Sequence, residues 1–190
     1  GRGMLMRYMA YDAGLDFIDE IVDIEEDFLS GNWEKKKKFI PELAGPFKAL
    51  PVVQHHGATI NETGACAQYV AEIAGYMPTH PLDRAKVVMI CDHIYEDILI
   101  NVAYAIWGLR DWERDVVGGF AGPISGFPLK FANLEDILVG SNSGFAVGSE
   151  VSMADFAIFY IVDILTQRML KVESGPAAVK LLFDDKPAIA

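Results

Sequence analysis

Hydrophobic and polar positions change their spacing about 78 residues into the chain. Before that point, short runs of different kinds alternate. Met4 to Ala13 reads as an apolar-rich helix that Gly14 can end in the left-handed cap conformation. In residues 15–22, Phe17, Ile18 and Ile21 mix with acids, and the start of the run suits a strand. Phe28 to Leu43 is polar and lysine-rich in its middle, which predicts a loop with a short helix. Leu50 to Gln54 is a β-rich run, His55-His56-Gly57 is a turn signal, and Ala58-Thr59-Ile60 is the returning arm of a hairpin. Thr63 to Ile73 is helical, with Ala65, Val70 and Ile73 among its apolar positions.

Pro78 and Pro81, two prolines within four residues, then stop the pattern. Beyond them the spacing is helical. Val87, Ile90, Cys91, Ile94, Ile98, Val102 and Tyr104 recur close to a 3.6-residue period within a segment running from Asp83 to Glu113. A glycine- and proline-rich loop follows at 118–128, then a helix from Leu129 to Val139 and a turn at 140–144. The last strong helix spans Ser152 to Leu170. A capping box opens it: Ser152 can bond the Asp155 amide, and Asp155 can reach back. Mixed α/β followed by all-α is a two-domain plan: residues 1–77, a linker at 78–83, and 84–190. The first domain is small and is expected to need helices of the second to cover its open face.

The formal net charge of −11 repels phosphate backbones and argues against a nucleic-acid partner. Lys35 to Lys38 is the one local exception, and a solvated surface is its default explanation. Cys66 and Cys91 both sit among apolar neighbours and read as buried free thiols, which suits a reducing, cytoplasmic setting. No apolar run reaches about 18 residues, so no membrane span is expected. Metal chemistry is not expected either. His55 and His56, adjacent on a strand, would point to opposite faces. His93 and Asp97 share a helix face but lack a third ligand.

Several runs carry a resemblance. Pro46-Phe47-Lys48-Ala49-Leu50-Pro51-Val52-Val53 is followed at a fitting distance by Glu62-Thr63-Gly64-Ala65-Cys66-Ala67-Gln68-Tyr69-Val70. Phe145-Ala146-Val147-Gly148 precedes Ser152-Met153-Ala154-Asp155-Phe156-Ala157, and Gly1-Arg2-Gly3 precedes Arg7-Tyr8. Together and in this order they resemble the cytosolic glutathione S-transferases, most of all the sigma class, with mu and alpha as neighbours. The resemblance implies a thioredoxin-like N-terminal domain, a helical-bundle C-terminal domain, a homodimer, and glutathione as co-substrate with no metal. The second substrate would be a small hydrophobic electrophile.

It also implies site residues. Trp33 and Lys37 would hold the glycine end of glutathione; packing and solvation are their plain alternatives. Leu50, before a cis Pro51, would offer backbone bonds to the cysteinyl part. Cis peptides occur at only about one in twenty X–Pro bonds, so a trans strand-edge proline is the plain alternative. Thr63, at a helix N-terminus, would take the γ-glutamyl carboxylate and is at least an N-cap. Glu62 stands where sigma members usually carry Gln and would pair with the γ-glutamyl ammonium. Asp97 would reach the same ammonium from the partner subunit, or be a solvated helix acid. Arg2 matches an arginine that helps organise the sulfur site. Tyr104 and Leu99 would face the electrophile. The catalytic group of these classes is a tyrosine on a first strand, which the resemblance puts upstream of Gly1; Tyr8 and Tyr11 lie inside the first helix. Conjugation of the glutathione thiolate to electrophiles is the implied function. A non-catalytic protein of this fold and a glutathione-dependent isomerase of the prostaglandin D synthase type are the alternatives.

Overall fold

The computed structural model describes residues 1–100, 126–169, 176, 180 and 183–189. These fall into two compact units, Gly1–Tyr76 and Met77–Ala190.

In the first unit, helix α1 (Met4–Asp12) buries Leu5, Met6, Met9 and Ala10 on one face. Helix α4 (Thr63–Ala74) buries Cys66, Ala67, Val70 and Ala71 at the same spacing and packs against α1. Its Cys66, Ala67 and Ala71 are small enough for close approach of the two backbones. Strands β1 (Val52–His55) and β2 (Ala58–Asn61) form an antiparallel pair in which Val52 faces Asn61 and His55 faces Ala58. The two-residue turn between them suits the twist of a hairpin, with His56 at φ 49° and Gly57 at φ 79°. A π-type turn (Ile24–Leu29) and the short helices α2 (Asn32–Lys35) and α3 (Pro41–Ala44) fill the interval before β1, with a 3₁₀ turn at Lys37–Phe39 between the helices.

The strand expected at 15–22 does not form. Among the described residues only β1 and β2 pair, so this stretch has no ladder to join. Its Asp19 is instead drawn to Arg7 of α1 by two hydrogen bonds, Nε to Oδ2 at 2.8 Å and the terminal nitrogen to Oδ1 at 2.7 Å. Ile18 is left 90% exposed.

In the second unit, helix α5 (Pro81–Asp92) starts inside the 78–83 segment expected to be a linker, with proline in its first turn, where no amide is needed. It runs on through a π-type turn (His93–Leu99). Val87, Ile90, Cys91, Ile94, Ile98 and Leu99 are buried, as the 3.6-residue spacing demands. Helix α6 (Phe127–Ser141) contributes Phe131 and Leu134, and α7 (Met153–Met169) contributes Met153, Ala157, Ile161 and Leu165 to this core. Asp155 holds the start of α7: Oδ2 accepts from the Ser152 amide and hydroxyl, each at 2.8 Å, and Oδ1 accepts from the Ala146 amide at 2.7 Å. Half of the expected capping box is thus altered. The Ser152 hydroxyl donates to the carboxylate, because Asp155 supplies the stronger acceptor.

Candidate functional site

The Leu50–Pro51 peptide is cis. Two contacts bring it to the start of α4. The Cys66 thiol, one turn into the helix, lies 3.8 Å from the Pro51 carbonyl and 3.3 Å from the Ile60 carbonyl. Asn61, 4% exposed, donates to the Ala44 carbonyl at 3.0 Å and the Ala49 carbonyl at 2.7 Å, and accepts from the Phe47 amide at 3.2 Å. One amide side chain thereby ties the loop carrying Leu50 to the strand leading into Glu62 and Thr63. Gly45 makes this possible: at φ 63°, a Cβ there would overlap the Asn61 amide. Neither Asn61 nor Cys66 was singled out from the sequence for this work. The visible signal was an Asn closing a hairpin arm beside the Glu-Thr pair.

Glu62 has φ 69° and ψ 133°, a conformation sparsely populated by any residue except glycine. Such strain persists where the surroundings enforce it, and it is concentrated at ligand sites. The helix beginning at Thr63 has no side-chain cap, so its first amides point outward unsatisfied. Thr63 itself is 7% exposed, and its hydroxyl oxygen is buried without a hydrogen-bond partner. The plain N-cap assignment therefore does not describe it. Open amides, a helix dipole and an unmet hydroxyl together make a receptor for a carboxylate.

Trp33 is 5% exposed and lies against Phe28, ring centroids 5.4 Å apart. Lys37 forms an ion pair with Asp27, a carboxylate only 2% exposed. Asp27 also accepts from the Asp23 amide at 2.9 Å. The Lys37 hydrogen bond holds the Asp27 carboxyl below its usual range, against the opposing pull of burial. Lys37 is thus not one of four equivalent solvated lysines. Arg2 lies in the turn before α1 and is half-buried.

In the second unit, Asp97 is exposed and held on both sides. His93 Nδ1 lies 2.7 Å from Oδ2, and Lys130 Nζ lies 3.2 Å from Oδ1. Burial raises its carboxyl; the bonds from His93 and Lys130 outweigh this and bring it below the usual value. His93 Nε2 faces the Lys130 carbonyl at 3.3 Å. Leu99 is 2% exposed within the core of this unit. Tyr104 lies outside the described residues.

The prediction that His55 and His56 point apart is corrected. His56 leaves the strand in a left-handed turn, and the two rings lie close together, centroids 3.9 Å apart and tilted by 41°. Among the described residues, no three metal-ligating side chains converge. No helix among them is long and apolar enough to cross a membrane.

Residues 126–186 match the family described as glutathione S-transferase, C-terminal domain. A probable glutathione S-transferase 6 of Caenorhabditis elegans is 26% identical over 176 residues, spanning 90% of this chain and 79% of the relative. A glutathione S-transferase of Antechinus stuartii is 22% identical over 92% of this chain and 74% of its own length. Among solved structures, a monomeric glutathione S-transferase of the hookworm Necator americanus superposes with a TM-score of 0.69 at 20% identity, over all of this chain and 89% of that one. The prostaglandin synthase D of Nilaparvata lugens does so with a TM-score of 0.70 at 18% identity, over all of this chain and 89% of its own. The chain thus has the two-part fold of these proteins, a thioredoxin-like domain followed by a helical one, and its relatives support the glutathione S-transferase family for it.

Proposed function

We propose that the protein binds glutathione and transfers its thiolate to small hydrophobic electrophiles. The observation that carries this reading is the buried, unpartnered Thr63 hydroxyl at the uncapped start of α4, one turn from the thiol that meets the Pro51 carbonyl. In it, Thr63 and the α4 amides take the γ-glutamyl carboxylate, and Glu62 takes the ammonium. The Leu50 backbone pairs with the cysteinyl part, beside the cis bond to Pro51. Trp33 and Lys37 hold the glycine carboxylate, Lys37 being shared with Asp27. Arg2 supports the sulfur, whose thiolate form is the nucleophile. Tyr104 lines the electrophile pocket, whereas Leu99, sealed at 2% exposure, belongs to the core of its unit. Asp97 serves the ammonium of a partner subunit in a homodimer. Two buried free cysteines suit a reducing cytoplasm.

Calorimetric titration with glutathione tests this. Thr63→Val removes a hydrogen bond to a charged group, about 1.5–3 kcal/mol, and should weaken binding roughly tenfold or more. Thr63→Ser should stay near the parent. Equal binding by Thr63→Val would sink the assignment. The structural likeness to a prostaglandin synthase favours a second reading, isomerisation of an endoperoxide with glutathione. Parallel assays with a chlorinated nitrobenzene and an endoperoxide separate the two. Binding with turnover of neither would point to the non-catalytic alternative.

A further inference from the structure

The tip of the hairpin opens a second cleft. It is open to solvent, with a volume of about 750 Å³, and its lining includes Lys38, Phe39, Glu42, Lys48, His55 and His56, but none of the residues assigned to glutathione. Four strand residues at about 3.3 Å each separate the histidines at this tip from Pro51, roughly 13 Å, while Lys48 on the other wall stands two residues before Leu50.

In a chain of net charge −11, this cleft gathers cations and imidazoles. The ammonium groups of Lys48 and Lys38 lie 4.7 Å and 5.5 Å from the centroid of the same Phe39 ring. Glu34 pairs with Lys38. Lys48 has no carboxylate partner among the described residues, and Glu42, the one acid of the lining, is not joined to it. His55 commits Nδ1 to the Tyr69 hydroxyl at 2.6 Å, which leaves Nε2 as its remaining polar atom, and the His56 ring lies against it at a tilt of 41°. The walls are fixed. Gln54 donates to the Glu42 carbonyl, and the loop bearing Lys48 is held by Asn61.

The backbone gives an independent indication. Four described residues other than glycine have positive φ, and two of them, Lys48 at 54° and His56 at 49°, line this cleft. Glycine would take either conformation with less strain. Keeping a lysine and a histidine there is explained if their side chains are used.

We propose that this cleft binds a small organic anion, a phosphate ester or sulfate. Lys48 is the principal cation, His55 and His56 are hydrogen-bond partners, and Phe39 is the apolar wall for the organic group.

Titration of the full chain with phenyl phosphate tests this, with inorganic phosphate and phenol as separate arms, each with and without saturating S-methylglutathione. We expect one equivalent of phenyl phosphate to bind, at least tenfold tighter than inorganic phosphate or phenol, and equally well with S-methylglutathione present. Lys48→Gln should weaken it at least fivefold, and Lys48→Arg should restore it. Lys48→Gly should lose the same affinity while keeping or raising the melting temperature, which a purely structural lysine would not do. The proposal is overturned if phenyl phosphate does not bind, if S-methylglutathione displaces it, or if both Lys48→Gln and His56→Gln bind it like the parent.

Discussion

Asn61 serves three backbone groups from a nearly sealed position. Its carboxamide donates to two carbonyls and accepts from one amide there; a carboxylate would face two carbonyls it cannot bond. Asn61→Ala leaves two acceptors and a donor unmet and should cost on the order of 2–4 kcal/mol, read from urea midpoints. Asn61→Asp should cost at least as much at neutral pH. Asp27 gives a pH signature instead. Its carboxyl is held low by Lys37, so its contribution is complete above the unfolded carboxylate range, about pH 4, and is lost as pH falls through its lower folded value. Between pH 5 and pH 2.5 the parent should therefore lose more stability than Asp27→Asn; equal losses in urea titrations would rule the pair out as a source. The roles of these two residues were not legible in the sequence, because their partners are fixed by loop geometry and not by any period. Trp33 and Lys37 stood out by their spacing, yet the acid that holds Lys37 lies ten residues upstream on an irregular turn.

Elements were legible where a period was long enough to identify them. The face of α5 follows directly from apolar spacing, and the hairpin from a β-rich run closed by His56 and Gly57. On α4, Val70 is buried as the spacing predicts, but Ala65 and Ile73 are exposed, and the small residues Cys66, Ala67 and Ala71 complete the buried face instead. The segment at 15–22 was misread because a strand is defined by a partner, and its composition says nothing about whether one is there. Asp155 was legible as a cap, though its bond to Ala146 was not. That bond is what anchors the loop before α7. Asp155→Ala removes three hydrogen bonds and should cost about 2–3 kcal/mol, seen as a lower melting temperature. Asp155→Asn keeps one acceptor and should lie between the two. Indistinguishable melting of all three would mean the loop finds other partners.

At the scale of the whole molecule, each unit carries one buried thiol, and this makes their stabilities separately measurable. Cys66 lies in the first unit, where burial pushes its thiol up to about 11. Cys91 lies in the second, where burial raises its thiol further. Thiolate is the reactive form, so both should resist a short iodoacetamide pulse at pH 8 until their surroundings open. The first unit is the smaller, Gly1–Tyr76 against Met77–Ala190. A domain of that size buries a smaller share of its surface, and among described residues its sheet is one two-stranded pair. It also exposes Ile18, Ile21, Leu29 and Phe47 widely. Its core is essentially the α1–α4 contact, whereas the second unit packs helices on several sides. Cys66 should therefore label at lower urea than Cys91 in pulses read by mass spectrometry. Coincident labelling would refute independent opening and would instead fit the expectation that helices of the second domain cover the first. Saturating glutathione then gives a second comparison: a ligand bound at Thr63 stabilises the unit that holds it, so it should move the Cys66 transition to higher urea and leave a separate Cys91 transition where it was.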